Sequence, residues 1–297
     1  MIWASEFRGK SVVVTGASSG IGRETALAFG AVGARVALVA RRRAVLTKVA
    51  KEIVQRGGQA LVVSADVTSP EAVRRALATV QRRFGGLDVV VNNAGVLIPG
   101  TVAELCTEDL ERMLRVNLFG ALLVMQGAVA IMRDQEHGGC IVNVASLAGR
   151  RGISPLGGYC ATKFALVGLT EALRMELHGT PVHVALVMPG VVETPMVEHA
   201  SIDGEFAQMW PHALNMPTAW AVWAIFAAAR FRLVEIAVPP GAATLEKLAA
   251  LAPGLADTVL HWTTKATHFV AELLAEPRSG RRRPTAETAA RPRPARP

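Results

Sequence analysis

Seven short apolar runs, separated by longer segments with helical spacing, constrain the fold of this chain more than any other feature of its sequence. The runs are rich in valine and mostly lack alternation of apolar and polar residues, which is typical of strands covered on both faces of a parallel sheet. They are Ser11–Thr15, Val36–Ala40, Ala60–Ala65, Leu87–Val91, Cys140–Ala145, Val182–Met188 and Val234–Val238. Their alternation with helical segments predicts an α/β fold, a doubly wound sheet of seven parallel strands in a single domain.

The segments between the runs begin with residues that favour helix starts. Ser69 and Pro70 form an N-cap followed by proline at the first helical position, and Thr107–Gln135 opens with acids in its first turn. In doubly wound sheets, ligands bind beyond the carboxyl ends of the strands. Functional residues are therefore expected in the segments that directly follow each apolar run.

Composition limits the class of protein. With 297 residues, 51% of them hydrophobic and 19% charged, the chain is too apolar to be mainly disordered. Its three cysteines, Cys106, Cys140 and Cys160, form no C-x-x-C pair, which argues against a disulfide scaffold and against structural zinc. We expect a reduced, cytoplasmic setting, and the N-terminal residues show no apolar run of signal-peptide length.

The C-terminal region is predicted to differ from the main domain, which we place over 1–253. Apolar residues at steps of four and three predict an amphipathic helix over 254–276. Such a helix could pack on protein, extend a dimer interface or lie on a membrane surface, and packing on protein is the preferred interpretation. The apolar positions are Leu255, Val259, Trp262, Ala266, Phe269 or Val270, and Leu273.

The last 21 residues carry most of the net charge. Residues 277–297 hold seven arginines and one acid, hence +6 of the total of +8, together with five prolines and no large apolar residue. This composition predicts a disordered Arg/Pro-rich tail. Nucleic-acid binding by this tail is unlikely on composition, because no aromatic residues are interleaved with the arginines.

A glycine-rich turn follows the first apolar run. Thr15–Gly22 has the spacing G-x-x-x-G-x-G, which lets the backbone turn tightly and approach a pyrophosphate at the N-terminus of the next helix. An ordinary strand-to-helix turn has similar letters. The position of the motif directly after the first strand of an alternating pattern favours a dinucleotide site.

Three arginines follow the second run. No Asp or Glu occurs between Gly30 and Lys51, where an NAD site usually places an acid on the ribose 2′-hydroxyl. An arginine there suits a 2′-phosphate, because its planar fork of donors carries a permanent charge. We therefore predict NADP(H), with NAD(H) less favoured, and assign the phosphate to Arg41. Arg42 and Arg43 are interpreted as solvent-facing residues at a helix start.

A phenol and an ammonium group lie four residues apart after the fifth run. Tyr159 and Lys163 are one helical turn from each other, and Tyr159 is the only tyrosine in the chain. A nearby lysine cation is expected to bring the phenol pKa, ordinarily about 10, toward the working range of a proton donor. Ser146, at the end of the fifth run, could hydrogen-bond the same phenol oxygen.

Taken in order, these motifs resemble those of the classical short-chain dehydrogenase/reductase family over roughly 9–240. The family's T-G-x-x-x-G-x-G corresponds to Thr15–Gly22, its N-N-A-G to Asn92–Gly95 and its P-G-x-x-x-T to Pro189–Thr194. Its four catalytic residues correspond to Asn117, Ser146, Tyr159 and Lys163, and none of them is replaced. The resemblance implies a Rossmann-like fold and an oxidoreductase that interconverts a carbonyl and a secondary alcohol by hydride transfer.

The same resemblance implies roles for these residues. Tyr159 would be the general acid/base, Lys163 would hold the nicotinamide ribose and lower the tyrosine pKa, and Ser146 would orient the carbonyl. Asn117 would hold a water that links Lys163 to solvent, and no metal is needed. The implied cofactor residues are Gly16, Ser18, Ser19, Gly20, Ile21, Gly22, Arg41, Asp66, Val67, Asn93, Ala94, Gly95, Tyr159, Lys163, Pro189, Gly190, Val192 and Thr194.

An apolar segment after Gly190 predicts the substrate class. Its Met and aromatic residues suit a bulky apolar ketone or alcohol, such as a lipid-, steroid- or retinoid-like compound, unless they only cover the cofactor. The candidate substrate residues are Ser146, Leu147, Leu156, Tyr159, Met196 and Trp210. Leu97, Ile98, Phe206, Met209 and Met216 are further candidates for the same cavity.

The resemblance also implies a homodimer or homotetramer, formed through the helices predicted over Thr107–Gln135 and Gly157–His178. A function of another class was weighed as well. The amphipathic helix and basic tail would suit a peripheral-membrane or scaffolding protein in which the reductase site is secondary.

Overall fold

Seven parallel strands form one sheet in the computed structural model, which describes residues 2–202, 215–259 and 262. The spatial order is β3-β2-β1-β4-β5-β6-β7, so the strand order reverses between β1 and β4. This confirms the predicted Rossmann-like α/β fold. The strands are β1 Ser11–Thr15, β2 Arg35–Ala40, β3 Gln59–Ser64, β4 Val89–Asn92, β5 Gly139–Val144, β6 Val182–Pro189 and β7 Glu235–Val238.

Nine α-helices are found within the described part of the chain. They are α1 Gly20–Ala31, α2 Arg43–Gln55, α3 Pro70–Phe84, α4 Thr107–Leu114, α5 Ala121–Met132, α6 Gly157–Glu176, α7 Pro195–Ile202, α8 Thr218–Phe231 and α9 Ala242–Leu251. Short helical turns occur at Ile2–Phe7, Arg115–Gly120 and Leu147–Gly149, and residues 253–259 are helical as well. Ser69 caps α3, its Oγ accepting from the Ala72 amide at 3.2 Å, as the sequence predicts.

The helices cover both faces of the sheet, which explains the unalternated apolar runs. Along β1, Val12 and Val14 pack with residues of α1, α2 and α8, while Val13 packs on the opposite face with residues of α3, α5 and α6. All five residues of β1 are buried. A strand whose neighbours are apolar on both faces has no polar side to display, so periodicity alone cannot show which residue faces which layer.

The predicted runs and the observed strands differ by at most two residues at each end. The largest difference is at Leu87, which the sequence places in the fourth strand. Its backbone pairs instead with the Gln135 side chain, whose Oε1 accepts from the Leu87 amide at 2.7 Å and whose Nε2 donates to the Leu87 carbonyl at 2.9 Å. Gln135 makes these bonds from the turn after α5, so the predicted helix to Gln135 ends at Met132.

The long helical stretch predicted after Thr107 contains a local irregularity. Between α4 and α5, residues Arg115–Gly120 form a π-helical turn, which brings Asn117 into the protein interior. Helical periodicity predicts the stretch but not this extra residue per turn, because the difference between the two hydrogen-bond patterns is decided by what the turn packs against.

The predicted C-terminal helix is described only to residue 259 and at Trp262. There the side chains of Leu255, Val259 and Trp262 are exposed, so they do not pack on the core of the domain as the preferred interpretation expects. Ala266, Phe269, Val270, Leu273 and the tail 277–297 lie outside the described residues.

The first core layer makes a prediction about stability. Phe226 of α8 is fully buried and stacks on Phe29 of α1 with ring centroids 4.0 Å apart. We expect Phe226→Ala to lower the free energy of unfolding by about 3–5 kcal/mol, because it removes buried apolar surface and leaves a cavity. Denaturant unfolding measures this loss. Trp223→Ala, on the exposed face of the same helix, is the control and should cost about 1 kcal/mol or less; equal losses would contradict the assignment of Phe226 to the core.

Candidate active site

The glycine-rich turn lies where the strand order reverses, the place at which open α/β sheets bind ligands. Gly16 has a φ of +67°, and a Cβ on Gly22 would lie 2.5 Å from both the Gly16 carbonyl oxygen and the Asn93 side-chain nitrogen. Only glycine fits such a close approach. Ser19 caps α1 without a side-chain hydrogen bond, which leaves the first-turn amides available to an anion.

Hydrogen bonds from Thr15 join the ends of β1 and β4 beside this turn. Its Oγ1 accepts from the amides of Asn93 and Ala94 at 2.9 and 3.0 Å, and its carbonyl accepts from Asn93 Nδ2 at 3.0 Å. These bonds hold the ends of the two neighbouring strands together where the segments that follow them diverge. The space between them is the beginning of a cleft.

This cleft has a volume of about 250 Å³ and runs along the carboxyl edge of the sheet. A glycine-rich turn, a helix N-terminus, two arginines and small apolar residues form its wall, which fits the phosphates, ribose and adenine of a dinucleotide. The lining residues are Gly16, Ser18, Ser19, Gly20, Ile21, Ala40, Arg41, Arg42, Ala65, Asp66, Val67, Asn93, Ala94, Gly95, Val96, Val116, Thr194, Pro195 and Met196.

Arg41 and Arg42 are both exposed, and both border the cleft. The sequence interpretation places Arg42 in solvent, and its side chain is exposed, but its Nη2 also donates to Ser18 Oγ in the glycine-rich turn at 3.0 Å. Arg43 does not line the cleft. The end of the second strand therefore presents two guanidinium groups at the rim of the cleft, and sequence spacing alone does not show which of the three arginines border it.

Tyr159 and Lys163 lie on the same face of α6, and both side chains are buried. Lys163 Nζ is 5.6 Å from the centre of the Tyr159 ring and donates to the Val144 carbonyl at the end of β5, 3.0 Å away. A Cβ on Gly95 would be 3.8 Å from Lys163 Nζ, so the ammonium lies beside the cleft wall. Tyr159 and Lys163 therefore lie together at one end of the cleft.

Ser146 is fixed from two sides at the end of β5. Its Oγ donates to the Pro189 carbonyl at 3.2 Å and accepts from the Ala148 amide, which caps the short turn Leu147–Gly149. Gly149 allows this turn to approach α6, because a Cβ there would be 2.9 Å from the Lys163 carbonyl oxygen. Ser146 lies close enough to the Tyr159 hydroxyl to oppose the rise in its pKa, so the three predicted residues come together.

Burial shifts the pKa values of the pair in opposite directions. It raises the pKa of Tyr159, while the hydrogen bond with Ser146 opposes this effect. It lowers the pKa of Lys163 to about 8. The sequence attributes the lowering of the phenol pKa to the lysine cation, whereas the lowering contact in the structure is Ser146. A protonated phenol at neutral pH is suited to donate a proton.

Asn117 is the fourth predicted residue, and its side chain holds backbone. Oδ1 accepts from the Val96 amide at 2.7 Å, and Nδ2 donates to the Val96 carbonyl and to Thr162 Oγ1 at 2.9 and 3.0 Å. It thereby connects the strand β4 exit to α6, one residue before Lys163. Its predicted role in holding a water stays a prediction.

The predicted substrate residues fall into three groups. Leu156 and Tyr159 belong to a small buried apolar cluster with Met113, Ala148 and Cys160, against which Leu97 and Ile98 pack. Leu147 lies against Gly190, and Met196 lines the cofactor cleft. Phe206, Met209 and Trp210 lie outside the described residues.

Of the predicted cofactor residues, twelve line the cleft and six lie elsewhere. Gly22 supports the turn from behind, and Tyr159 and Lys163 lie at the far end. Pro189 ends β6, and Gly190 and Val192 follow it. Within the described ranges, no group of three or more His, Cys, Asp or Glu side chains is placed to hold a metal ion.

Comparison with known proteins agrees with this geometry. A family model described as short chain dehydrogenase matches residues 10–204. The chain belongs to the classical short-chain dehydrogenase/reductase family. Its members are oxidoreductases that bind a nicotinamide cofactor.

This dehydrogenase/reductase is 35% identical over 251 residues to the uncharacterized oxidoreductase YxnA of Bacillus subtilis (strain 168), covering 84% of this chain and 70% of that protein. It is 36% identical over 200 residues to sorbitol dehydrogenase of Cereibacter sphaeroides, covering 67% and 76%. The crystal structure of a short chain dehydrogenase/reductase from Burkholderia phymatum in complex with NAD superimposes with a TM-score of 0.77 at 26% identity, covering 84% and 96% of the two chains.

Five cleft residues of this dehydrogenase/reductase were not singled out from the sequence: Ala40, Ala65, Val96, Val116 and Pro195. Ala40 and Ala65 directly precede Arg41 and Asp66, so their position after strands is the signal that would have found them. Val96 follows the N-N-A-G motif in the same way. Val116 lies in the π-helical turn, and no sequence signal points to it.

The buried Lys163 of this dehydrogenase/reductase predicts a pH dependence of stability. Below pH 8 the ammonium is charged in both the folded and the unfolded chain, and the folded state carries the penalty of burying the charge. From pH 8 to 10.5 the folded state loses its proton first, so the penalty shrinks as pH rises. Lys163→Met should therefore raise the free energy of unfolding by on the order of 3 kcal/mol near pH 7, and by progressively less toward pH 10.5.

Chemical denaturation at several pH values measures this difference. Lys51→Met, on the exposed face of α2, is the control and should change the free energy of unfolding by less than about 0.5 kcal/mol. A gain from Lys163→Met that is constant with pH would show that it comes from packing and not from the buried charge.

Proposed function

We propose that this chain is an NADP(H)-dependent oxidoreductase that interconverts a carbonyl and a secondary alcohol on a bulky apolar substrate. The observation that carries the proposal is the buried Tyr159 phenol, which lies near Ser146 and beside Lys163 at one end of the cofactor cleft. The family establishes an oxidoreductase with a nicotinamide cofactor. The choice of NADP(H), the substrate class and the roles of the residues are the proposal.

The roles follow from the state of each group. When bound, the nicotinamide ring supplies or accepts the hydride. In the reducing direction, Tyr159 donates its proton to the carbonyl oxygen, because burial keeps the phenol protonated at neutral pH. With substrate bound, Ser146 redirects its hydroxyl proton from the Pro189 carbonyl to the same oxygen and orients the substrate carbonyl. Lys163 binds the nicotinamide ribose and stabilises the phenolate that remains after proton transfer.

Two arginines support the preference for NADP(H). Arg41 and Arg42 both border the adenosine end of the cleft, and the residues from Gly30 to Lys51 include no acid that would repel a phosphate. Arg42 also contacts Ser18, which fixes its guanidinium group near the phosphate turn. Asp66 accepts from the Thr68 amide and hydroxyl at 2.9 Å each, so this acid is used within its own turn.

Cofactor affinity tests this assignment. We expect tighter binding of NADPH than of NADH in a fluorescence titration, and a loss of NADPH affinity of roughly tenfold or more in Arg41→Ala or Arg42→Ala, because each removes a charged donor to the 2′-phosphate. NADH affinity should change by less than about twofold, since it has no such phosphate. Arg43→Ala is the matched control and should behave as wild type. A wild-type preference for NADH would overturn the NADP(H) assignment.

The substrate side of Tyr159 is apolar. Leu156, Ala148 and Cys160 are buried around the phenol, with Leu97 and Ile98 packed against them. A wall of this kind favours a large apolar ketone or alcohol over a small polar one. The name of the sorbitol dehydrogenase relative shows that family membership alone does not decide this point.

A panel of ketones graded by apolar surface tests both the activity and the substrate class. With NADPH we expect kcat/KM to rise with apolar size, and Tyr159→Phe to lower kcat by about 100- to 10,000-fold on the best substrate because it removes the proton donor. NADPH affinity of Tyr159→Phe should stay within about threefold of wild type, which separates chemistry from folding. Highest turnover on small polar ketones would refute the apolar substrate, and unchanged turnover in Tyr159→Phe would refute the mechanism.

We also propose a cytoplasmic homodimer or homotetramer formed through α4, α5 and the turn between them, together with α6. Exposed Phe119 of that turn and Phe164 of α6 support this placement. The alternative of a peripheral-membrane or scaffolding protein in which the reductase site is secondary is not favoured, because all four family residues are present and three of them come together.

A further inference from the structure

A short stretch near the C-terminus exposes six large apolar side chains. Leu245, Leu248, Leu251, Leu255, Val259 and Trp262 are between 53% and 82% exposed. Single exposed apolar residues are common on protein surfaces, but a contiguous group within eighteen residues marks an interaction surface. We call residues 242–262 the C-terminal platform.

The spacing of these side chains is helical. They recur at steps of three, three, four, four and three residues, so each of the two helical segments, α9 and residues 253–259, carries an exposed apolar stripe. In most helices of soluble domains such a stripe faces the core, as it does in α3 of this chain, where Val73, Ala76, Leu77 and Val80 are buried. In the C-terminal platform the same pattern is exposed.

The platform begins at the edge of the sheet that carries the active site. Strand β7 ends at Val238, whose carbonyl accepts from the Gly190 amide at 2.8 Å, and α9 starts four residues later. Pro189, next to Gly190, accepts the hydrogen bond of Ser146. The platform and the substrate side of the cleft are therefore neighbours on one end of the molecule.

Polar contacts hold the platform to the domain. Arg151 Nη2 donates to the Pro253 carbonyl at 3.3 Å and forms an ion pair with Asp257. The preceding residue, Arg150, donates to Glu171 of α6 at 2.6 Å and to Glu235 of β7 at 2.7 Å. Glu246 of α9 is partly buried near the Arg150 and Glu235 charges. The domain thus contacts charged groups of the platform and leaves the leucines uncovered.

The charge of the residues that follow the platform indicates which partner covers its apolar side chains. Residues 277–297 add seven arginines and one acid after the apolar stripe. An exposed apolar stripe joined to a strongly basic segment fits an anionic lipid surface, which buries the apolar side chains and attracts each arginine by about 1 kcal/mol. A second copy of this chain fits less well, because it would bring a net charge of +8 against the same basic segment.

We propose that the C-terminal platform binds anionic lipid bilayers. Leu245, Leu248, Leu251, Leu255, Val259 and Trp262 enter the interface between headgroups and acyl chains, and the net positive charge of 277–297 strengthens the attraction to anionic headgroups. This binding is independent of the reaction proposed above. It places the substrate side of the active site next to the bilayer.

Vesicle flotation of the full chain tests the proposal. We expect flotation with vesicles of phosphatidylcholine containing about 30% phosphatidylserine at about 0.1 M salt, and at least tenfold weaker binding to pure phosphatidylcholine. Raising the salt to about 0.5 M should weaken binding to the anionic vesicles, because it screens the arginines. Replacing Arg281, Arg282 and Arg283 together by glutamine should weaken it at least tenfold.

Two single substitutions test whether vesicle binding depends on the platform or on any exposed apolar residue. Leu251→Glu replaces the most exposed leucine of the platform and should lower binding roughly tenfold or more, while Val54→Glu, on the exposed surface of α2, should leave it unchanged. Both proteins should unfold at the wild-type midpoint, because both positions are exposed. If Leu251→Glu does not fold, Leu255→Glu is its substitute.

Three results would overturn the proposal. They are no flotation of the full chain at about 0.1 M salt, equal flotation with neutral and anionic vesicles, or equal weakening by Leu251→Glu and Val54→Glu. Light scattering distinguishes the remaining occupant. If Leu251→Glu converts an oligomer into a smaller species and wild type does not float, the platform is an interface with a second copy.

Discussion

The buried ammonium of Lys163 is the constraint around which the active site is arranged. Burying a charged ammonium costs free energy unless neighbouring groups accept hydrogen bonds from it. In this chain the Val144 carbonyl at the end of β5 accepts one. The pKa of Lys163 is lowered because the cost of burying its charge is only partly compensated. A buried charged residue with a shifted pKa is a candidate functional residue, and the neighbouring Tyr159 and Ser146 indicate the site at which Lys163 would act.

Buried polar side chains near Lys163 each connect different elements of the fold by hydrogen bonds. Asn117 binds the Val96 backbone and Thr162, so the exit of β4 cannot move relative to α6. One layer deeper, Asn92 donates to the Ala121 carbonyl and to Asn143, and Asn143 donates to Thr170. Asn92 and Asn143 thus make these hydrogen bonds inside the protein. Within the motif Asn92–Gly95, Asn92 links neighbouring strands, and Asn93 to Gly95 form the cleft wall.

The sequence predicts those features that are decided locally, and it misses those decided by packing. The seven strands were found because each is a continuous apolar run, and Tyr159 and Lys163 were placed on one face because helix geometry requires it. The π-helical turn at Asn117, the pairing of Leu87 with Gln135 and the hydrogen bond of Arg42 to Ser18 depend on contacts between segments far apart in the sequence. The source of the phenol pKa was wrong for the same reason, since burial and Ser146 act through space.

A parallel sheet also explains why the C-terminal platform and the active site share one end of the molecule. Every strand delivers its following segment to the same edge, so the turn after β1, the Ser146 turn after β5 and the platform after β7 all begin there. Arg150 and Arg151 follow Ser146 by four and five residues, and their partners lie on α6, on β7 and in the platform. The segment that follows Ser146 is therefore also the segment that holds the platform, through the contacts of Arg151 with Pro253 and Asp257.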